Sequence, residues 1–313
     1  MNLRQSLCLT VCLIGLAGVI HAQSMAYVLQ ADAFANTRAG AIRQLADSGR
    51  DLVVIDSVFD GSAAGPWTRA EIRAIRAGKT GRKVVAYLSI GEVEDYRPYW
   101  QAAWDANQDG QPDAGAPAFL GDVNPDWPGN YRVRYWQPAW QSLVLGMLDG
   151  IAAKGFDGVY LDIVDAFETW EYDPDAQDWI ENRMNPETGR TYRRDMILWV
   201  KAIAARARRA HPGFLVIPQN GSPLLRAKGF RNVISGIGIE DLFTEGNALQ
   251  PAGHVNPILA DLALLAEGKP VWLIEYGSRI RARTASQAGA EAHGFSLLLT
   301  DRELKTLGVC PNP

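Results

Sequence analysis

The sequence predicts one (β/α)8 TIM barrel, an α/β fold, with a long inserted loop between strands 3 and 4. Three observations predict it. Eight short apolar runs rich in Val, Ile, Leu and Tyr alternate with helical patterns along 313 residues. The runs are mostly continuous rather than alternating in polarity, which suits parallel strands covered on both faces. Several of them end on an acid, and the C-terminal ends of barrel strands are where catalytic loops gather.

At the N-terminus, Arg4 is the only charge before Asp32, and an apolar run spans Leu7 to Ile20. This pattern predicts a secretory signal peptide over 1–22, cleaved after Ala22, and a secreted or periplasmic protein over 23–313. The run is short for an uncleaved membrane anchor. Cleavage removes Cys8, Cys12 and one positive charge, which takes the net charge from −4 to −5 and leaves Cys310 alone, without an internal disulfide. With 47% hydrophobic and 21% charged residues, the composition excludes disordered, collagen-like and coiled-coil chains. The acidic balance argues against a nucleic-acid partner, and no membrane contact is expected after cleavage. A monomer is expected.

Strands are predicted near 26–29, 52–56, 83–90, 158–163, 214–218, 235–240, 271–275 and 295–299. Helices are predicted over 37–47, 68–76, 138–154, 192–210, 257–267 and 286–293. Thr68 and Glu71 have the spacing of a capping box. A doubly wound open sheet is the rival, but Gln30-Ala31-Asp32-Ala33 lacks the Gly-rich turn expected after its first strand. Gly236-Ile237-Gly238 begins a dinucleotide fingerprint that fails at Asp241. The segment 105–130 is long and non-periodic, which favours a functional loop.

The acids fall at strand ends. Asp56 ends LVVID, Glu92 follows AYLSIG, and Asp162 ends GFDGVYLD with Asp165 three residues on. Glu240 ends SGIGIE beside Asp241, and Glu275 ends VWLIE. Gln219 and Asn220 add amides to the same rim. A single strand-end acid most simply caps a loop or pairs with Arg, but five on five strands favour a site. Such a ring suits glycosidic cleavage, where one carboxyl protonates the leaving oxygen and another attacks or activates water. Aromatic residues crowd Tyr96 to Trp140: Tyr96, Tyr99, Trp100, Trp104, Trp127, Tyr131, Tyr135, Trp136 and Trp140. Most should pack the loop; Tyr96 and Trp127 are the candidates for sugar contact.

Asp105, Asn107, Asp109, Gln111 and Asp113, with Gly110 at position six, match the first part of a calcium loop, although position twelve is Ala116. The expectation is a structural calcium ion, with no cofactor required for chemistry. His211, His254 and His293 form no zinc motif, no G-x-S-x-G elbow exists, and thiol catalysis has only Cys310 to draw on.

The blocks YLSIGEVEDYRPYW, NYRVRYWQPAW, GFDGVYLDIVDAFE, PQNG and GIEDLF resemble glycoside hydrolase family 114, the endo-α-1,4-polygalactosaminidase group related to the hydrolase domain of Pel polysaccharide proteins. The resemblance covers nearly all of 23–313. It implies a TIM barrel that cleaves within α-1,4-linked galactosamine-containing polysaccharide. It also implies Asp162 as nucleophile or charged stabiliser and Glu240 as general acid/base. Asp56, Tyr87, Glu92, Asp165, Asn220, Glu275 and Tyr276 would line subsites. The rival readings are a carbohydrate-binding barrel without turnover, and hydrolysis of another linkage by the same acids.

Overall fold

The structure, a computed structural model, describes residues 23–60, 65–265 and 268–311. The predicted signal peptide lies outside them. Eight strands form the barrel wall: β1 (Met25–Val28), β2 (Leu52–Asp56), β3 (Lys83–Ser89), β4 (Gly158–Asp162), β5 (Leu215–Pro218), β6 (Ile237–Glu240), β7 (Val271–Glu275) and β8 (Ser296–Leu299). β1 to β5 make one parallel sheet in chain order, and β6 to β8 make another. A parallel bridge from Gln219 to Gly238 joins β5 to β6. β8 lies beside β1, and Leu29 N–H donates to the Leu304 carbonyl at 2.9 Å across that seam.

Side chains sort into two buried layers. Tyr27, Val54, Val85, Tyr160, Ile217, Ile274 and Leu298 fill the inside of the wall. The residues between them, such as Ala26, Val53, Val84, Leu161 and Leu273, pack outward. Successive strand residues face opposite sides, so the continuous apolar runs serve both layers.

The outer layer is covered by α1 (Arg38–Asp47), α2 (Arg69–Ala77), α3 (Pro138–Ala153), α4 (Ala166–Glu171), α5 (Tyr192–Ala210), α6 (Ala252–Leu262) and α7 (Ile280–His293). The capping box at Thr68 is present: Thr68 N–H donates to Glu71 Oε2 at 2.7 Å, and Glu71 N–H donates to Thr68 Oγ1 at 3.3 Å. Proline opens α3, where its missing N–H has no intrahelical role.

Three expectations need correction. The helix predicted over 257–267 is Ala252–Leu262, with Pro257 inside it; the proline removes one internal hydrogen bond without ending the helix. The helix predicted from 286 begins at Ile280. The segment 105–130 is not all irregular. Leu120–Val123 pairs with Asn130–Val133, which also pairs with Glu92–Glu94, to give a small antiparallel sheet above the barrel. Gly121 and Asp122 had hidden that short edge strand. Among the described residues, no helix is long and apolar enough to cross a membrane.

Candidate active site

β4 and β6 deliver the central acids. On β4, Tyr160 faces the barrel interior, and two residues later Asp162 emerges on the same side at the rim. The chain then turns sharply at Ile163, which holds φ 55°, a costly conformation for a β-branched residue. The turn aims the Ile163 N–H at Asp162 Oδ1 at 2.9 Å, while the Tyr87 hydroxyl donates to Oδ2 at 2.9 Å. Gly91 permits this arrangement, because a Cβ there would stand 2.2 Å from the Ile163 carbonyl. This close approach gives a physical reason for the glycine of YLSIGE.

β6 repeats the device. Gly238 faces inward and Glu240 follows on the same side. A Cβ on Gly238 would lie 1.8 Å from the Tyr160 hydroxyl and 2.5 Å from Gln219 Oε1. The failed dinucleotide motif therefore has a structural purpose: its glycine leaves a slot in which Tyr160 donates to the buried Gln219 amide. The Glu240 N–H donates to Asn220 Oδ1 at 3.0 Å, and the Tyr276 hydroxyl donates to Glu240 Oε1. Asn220 and Asp241 both hold positive φ, so sharp turns follow β4, β5 and β6 alike. Arg302 stacks 3.9 Å above the Tyr276 ring and donates to Asp241 Oδ2 at 2.7 Å.

Asp162 and Glu240 line one cleft of about 800 Å³, together with Tyr27, Tyr87, Tyr96, Trp127, Asp165, Asn220 and Tyr276. Burial pushes the Asp162 carboxyl up to about 7, and the Glu240 charge adds to the shift; the Ile163 N–H and Tyr87 oppose it. Burial also raises Glu240, against the pull of Tyr276 and the Gln219 amide. Burial, then the charges of Asp162 and Glu168, lifts Asp165 well above the usual carboxylate range. Burial thus favours the protonated form of both carboxyls.

Of the expected residues, the structure brings Tyr87, Tyr96, Trp127, Asp162, Asp165, Asn220, Glu240 and Tyr276 to this cleft. Asp56, Glu92 and Glu275 are elsewhere. Asp56 is bound by Arg97 through Nη1–Oδ1 at 2.9 Å and Nη2–Oδ2 at 2.7 Å, and Arg97 Nε also donates to Glu94 at 2.7 Å, all buried. Glu92 accepts from the side-chain amides of Asn124 at 2.8 Å and Asn130 at 3.2 Å, fixing the small sheet. Glu275 points outward, since its neighbours Ile274 and Tyr276 belong to the inner layer. It accepts Phe243 N–H at 2.8 Å and Thr244 N–H at 3.1 Å, and so caps the loop after β6.

The sequence reading missed Tyr27, Gln30, Asn130 and Arg302, all on the cleft wall. Tyr27 had a signal, since it lies two positions after Met25 on the inward face of β1. Arg302 had none before the seam between β8 and β1 was known.

The candidate calcium loop lies outside the cleft lining. Asp105 accepts Tyr131 OH at 2.6 Å, Gly110 N–H at 3.0 Å and Asp109 N–H at 3.1 Å. Asn107 donates to Asp109 at 3.0 Å, Gln111 N–H donates to Asp109 at 2.9 Å, and Ala106 N–H donates to Asp113 at 2.6 Å. These carboxylates serve the loop's own donors, and no three His, Cys, Asp or Glu among the described residues converge as a metal cage.

The barrel is similar to the glycoside hydrolase domain of PelA from Pseudomonas aeruginosa, with 20% identity, a TM-score of 0.62, and coverage of 92% of this chain and 98% of that one. It is also similar to Ega3 of Aspergillus fumigatus, solved in complex with galactosamine, with 18% identity, a TM-score of 0.60, and coverage of 94% and 96%. An uncharacterized protein from Deinococcus radiodurans is 36% identical over 281 residues, 89% of this chain and 81% of its own. The model of glycoside-hydrolase family GH114 matches residues 21–312, so the chain belongs to that family and is a glycoside hydrolase.

Proposed function

We propose that this enzyme is exported and cleaves within α-1,4-linked polymers of galactosamine and N-acetylgalactosamine. The observation that supports this most is the meeting of Asp162 and Glu240, from strands β4 and β6, in a cleft with aromatic walls at Tyr96 and Trp127. Those two rings are half exposed, and a half-exposed ring offers a face to the apolar side of a sugar. The galactosamine held by Ega3 supports the substrate class, and the acids of the cleft suit a polymer bearing ammonium groups.

In this reading Glu240 gives its proton to the glycosidic oxygen as the bond to the anomeric carbon breaks. Asp162, ionised, meets the positive charge that develops at that carbon, as nucleophile or stabiliser. Water then adds there, and Glu240 takes up the water proton, which restores both groups. The test is incubation of the mature protein with defined galactosamine polymers, with new reducing ends measured and product lengths read by mass spectrometry. Mid-length products support the reading. Saturable binding with unchanged polymer length would make the barrel a binding module, and cleavage confined to other glycans would reassign the linkage.

A further inference from the structure

Gln219 ends β5, between the strands that carry Asp162 and Glu240, and is fully buried without lining the cleft. We propose that Gln219 is a positioning residue: Tyr160 fixes which end of its amide faces Glu240, so that an N–H, not the carbonyl, meets the Glu240 carboxyl as its proton leaves. The proposal rests on the reading of Glu240 as proton donor and adds the group that governs the transfer.

The backbone leaves Gln219 little freedom. Its N–H donates to the Leu161 carbonyl of β4 at 2.7 Å, and it bridges to Gly238 of β6. Its side chain occupies the slot that Gly238 leaves open, where the Tyr160 hydroxyl donates to Oε1. An amide carries a carbonyl at one end and an NH2 at the other, so committing Oε1 to Tyr160 turns Nε2 away from that hydroxyl. Nε2 is buried and makes no full hydrogen bond, yet the amide already favours the charge on Glu240. Buried donors are ordinarily satisfied; this one is held ready for a carboxylate. A flipped amide would present Oε1 instead, which accepts from a protonated carboxyl and keeps its proton in place. The other groups around Glu240 come from several elements. Asp241 beside it raises it, and Arg302 lowers it. Asp162 and Asp165, at the end of β4, interact with its charge, as do Tyr27 and Tyr160 inside the barrel. Tyr276 donates to it from the cleft wall. Gln219 is thus the donor to Glu240 that substrate does not reach.

The test is NMR titration of the Glu240 carboxyl in protein labelled with carbon-13 at its glutamate carboxyls, with the resonance assigned by its loss in Glu240→Gln. Two variants are compared with wild type, each checked for folding by thermal melting. Gln219→Met keeps the length of the side chain and has no N–H. Tyr160→Phe keeps the ring against Tyr27, 5.1 Å between centroids, and frees the amide to turn. In both, Glu240 should titrate about one pH unit higher, a tenfold gain in proton affinity. The basic limb of the pH–rate profile on a galactosamine polymer should move with it. The value of kcat should fall about tenfold, as for a hydrogen bond to a charged group, with KM changed less than about twofold. A Glu240 titration unmoved in either folded variant would overturn the proposal, whatever the loss of stability. If Gln219→Met does not fold, Tyr160→Phe decides alone. If the titrations move but wild type cleaves no polymer, the hydrolytic reading fails and the amide lock stands. If cleavage proceeds and the titrations stay in place, the lock fails alone.

Discussion

The Tyr87 hydroxyl donates to Oδ2 of Asp162 at 2.9 Å, tying the rim of β3 to that of β4. The bond favours the ionised acid against burial and the charge of Glu240. Tyr87→Phe removes it and leaves the ring in place. Asp162 should then titrate at higher pH, so the acidic limb of the pH–rate profile should move upward. The value of kcat/KM at neutral pH should fall about tenfold, in keeping with a charge-assisted hydrogen bond. An unmoved limb would separate Tyr87 from the ionisation of Asp162.

The same burial makes a statement about stability. The Asp162 carboxyl sits near 7 in the folded protein, against an ordinary value of about 3.9. Folding therefore favours its protonated form. This contribution is complete below about pH 4 and is lost as pH rises through about 7. Asp162→Asn, which cannot ionise, should stabilise the protein at pH 8 and change it little at pH 4. A gain on the order of 1 kcal/mol would raise Tm by roughly 2–4 °C. Melting curves at the two pH values check this, and a loss of stability at pH 8 would contradict it.

Arg97 holds Asp56 and Glu94 in a buried group whose third acceptor contact reaches the cleft, where Tyr96 donates to Glu94. Arg97→Ala would leave two buried carboxylates unpaired. Its cost should be about 3–5 kcal/mol in denaturant unfolding. A cost under about 1 kcal/mol would show that water reaches these acids freely.

The Asp105 turn holds Tyr131 and, through the backbone pair of Val123 N–H with the Gly110 carbonyl at 2.8 Å, the edge of the small sheet. Asp105→Ala should lower Tm by a similar amount in chelator and in millimolar calcium. If calcium raises the Tm of wild type and this rise vanishes in Asp105→Ala, the turn is a calcium site after all.

The barrel was legible because its strands are buried on both faces, which writes them as unbroken apolar runs. Within the site, strand ends showed which rim an acid occupies but not where its carboxylate turns. Asp56 shares the inward parity of Asp162, yet Arg97, 41 residues away, claims it. No local pattern announces that partner. Glu275 could have been set aside, since it precedes the inward Tyr276 by one position and must face the other way. Pro257 misplaced a helix start because the sequence shows a missing donor but not the packing that tolerates it. Arg302 becomes a neighbour of Tyr276 only after the chain has closed on itself.

The decisive measurement is the initial rate of reducing-end release from an α-1,4-galactosamine polymer by wild type, Asp162→Asn and Glu240→Gln, each confirmed folded by its melting curve. We expect both substitutions to lower kcat by at least about a thousandfold, as removal of a carboxyl acting directly at the anomeric centre should. Wild-type rates in both variants would place the chemistry elsewhere in the molecule.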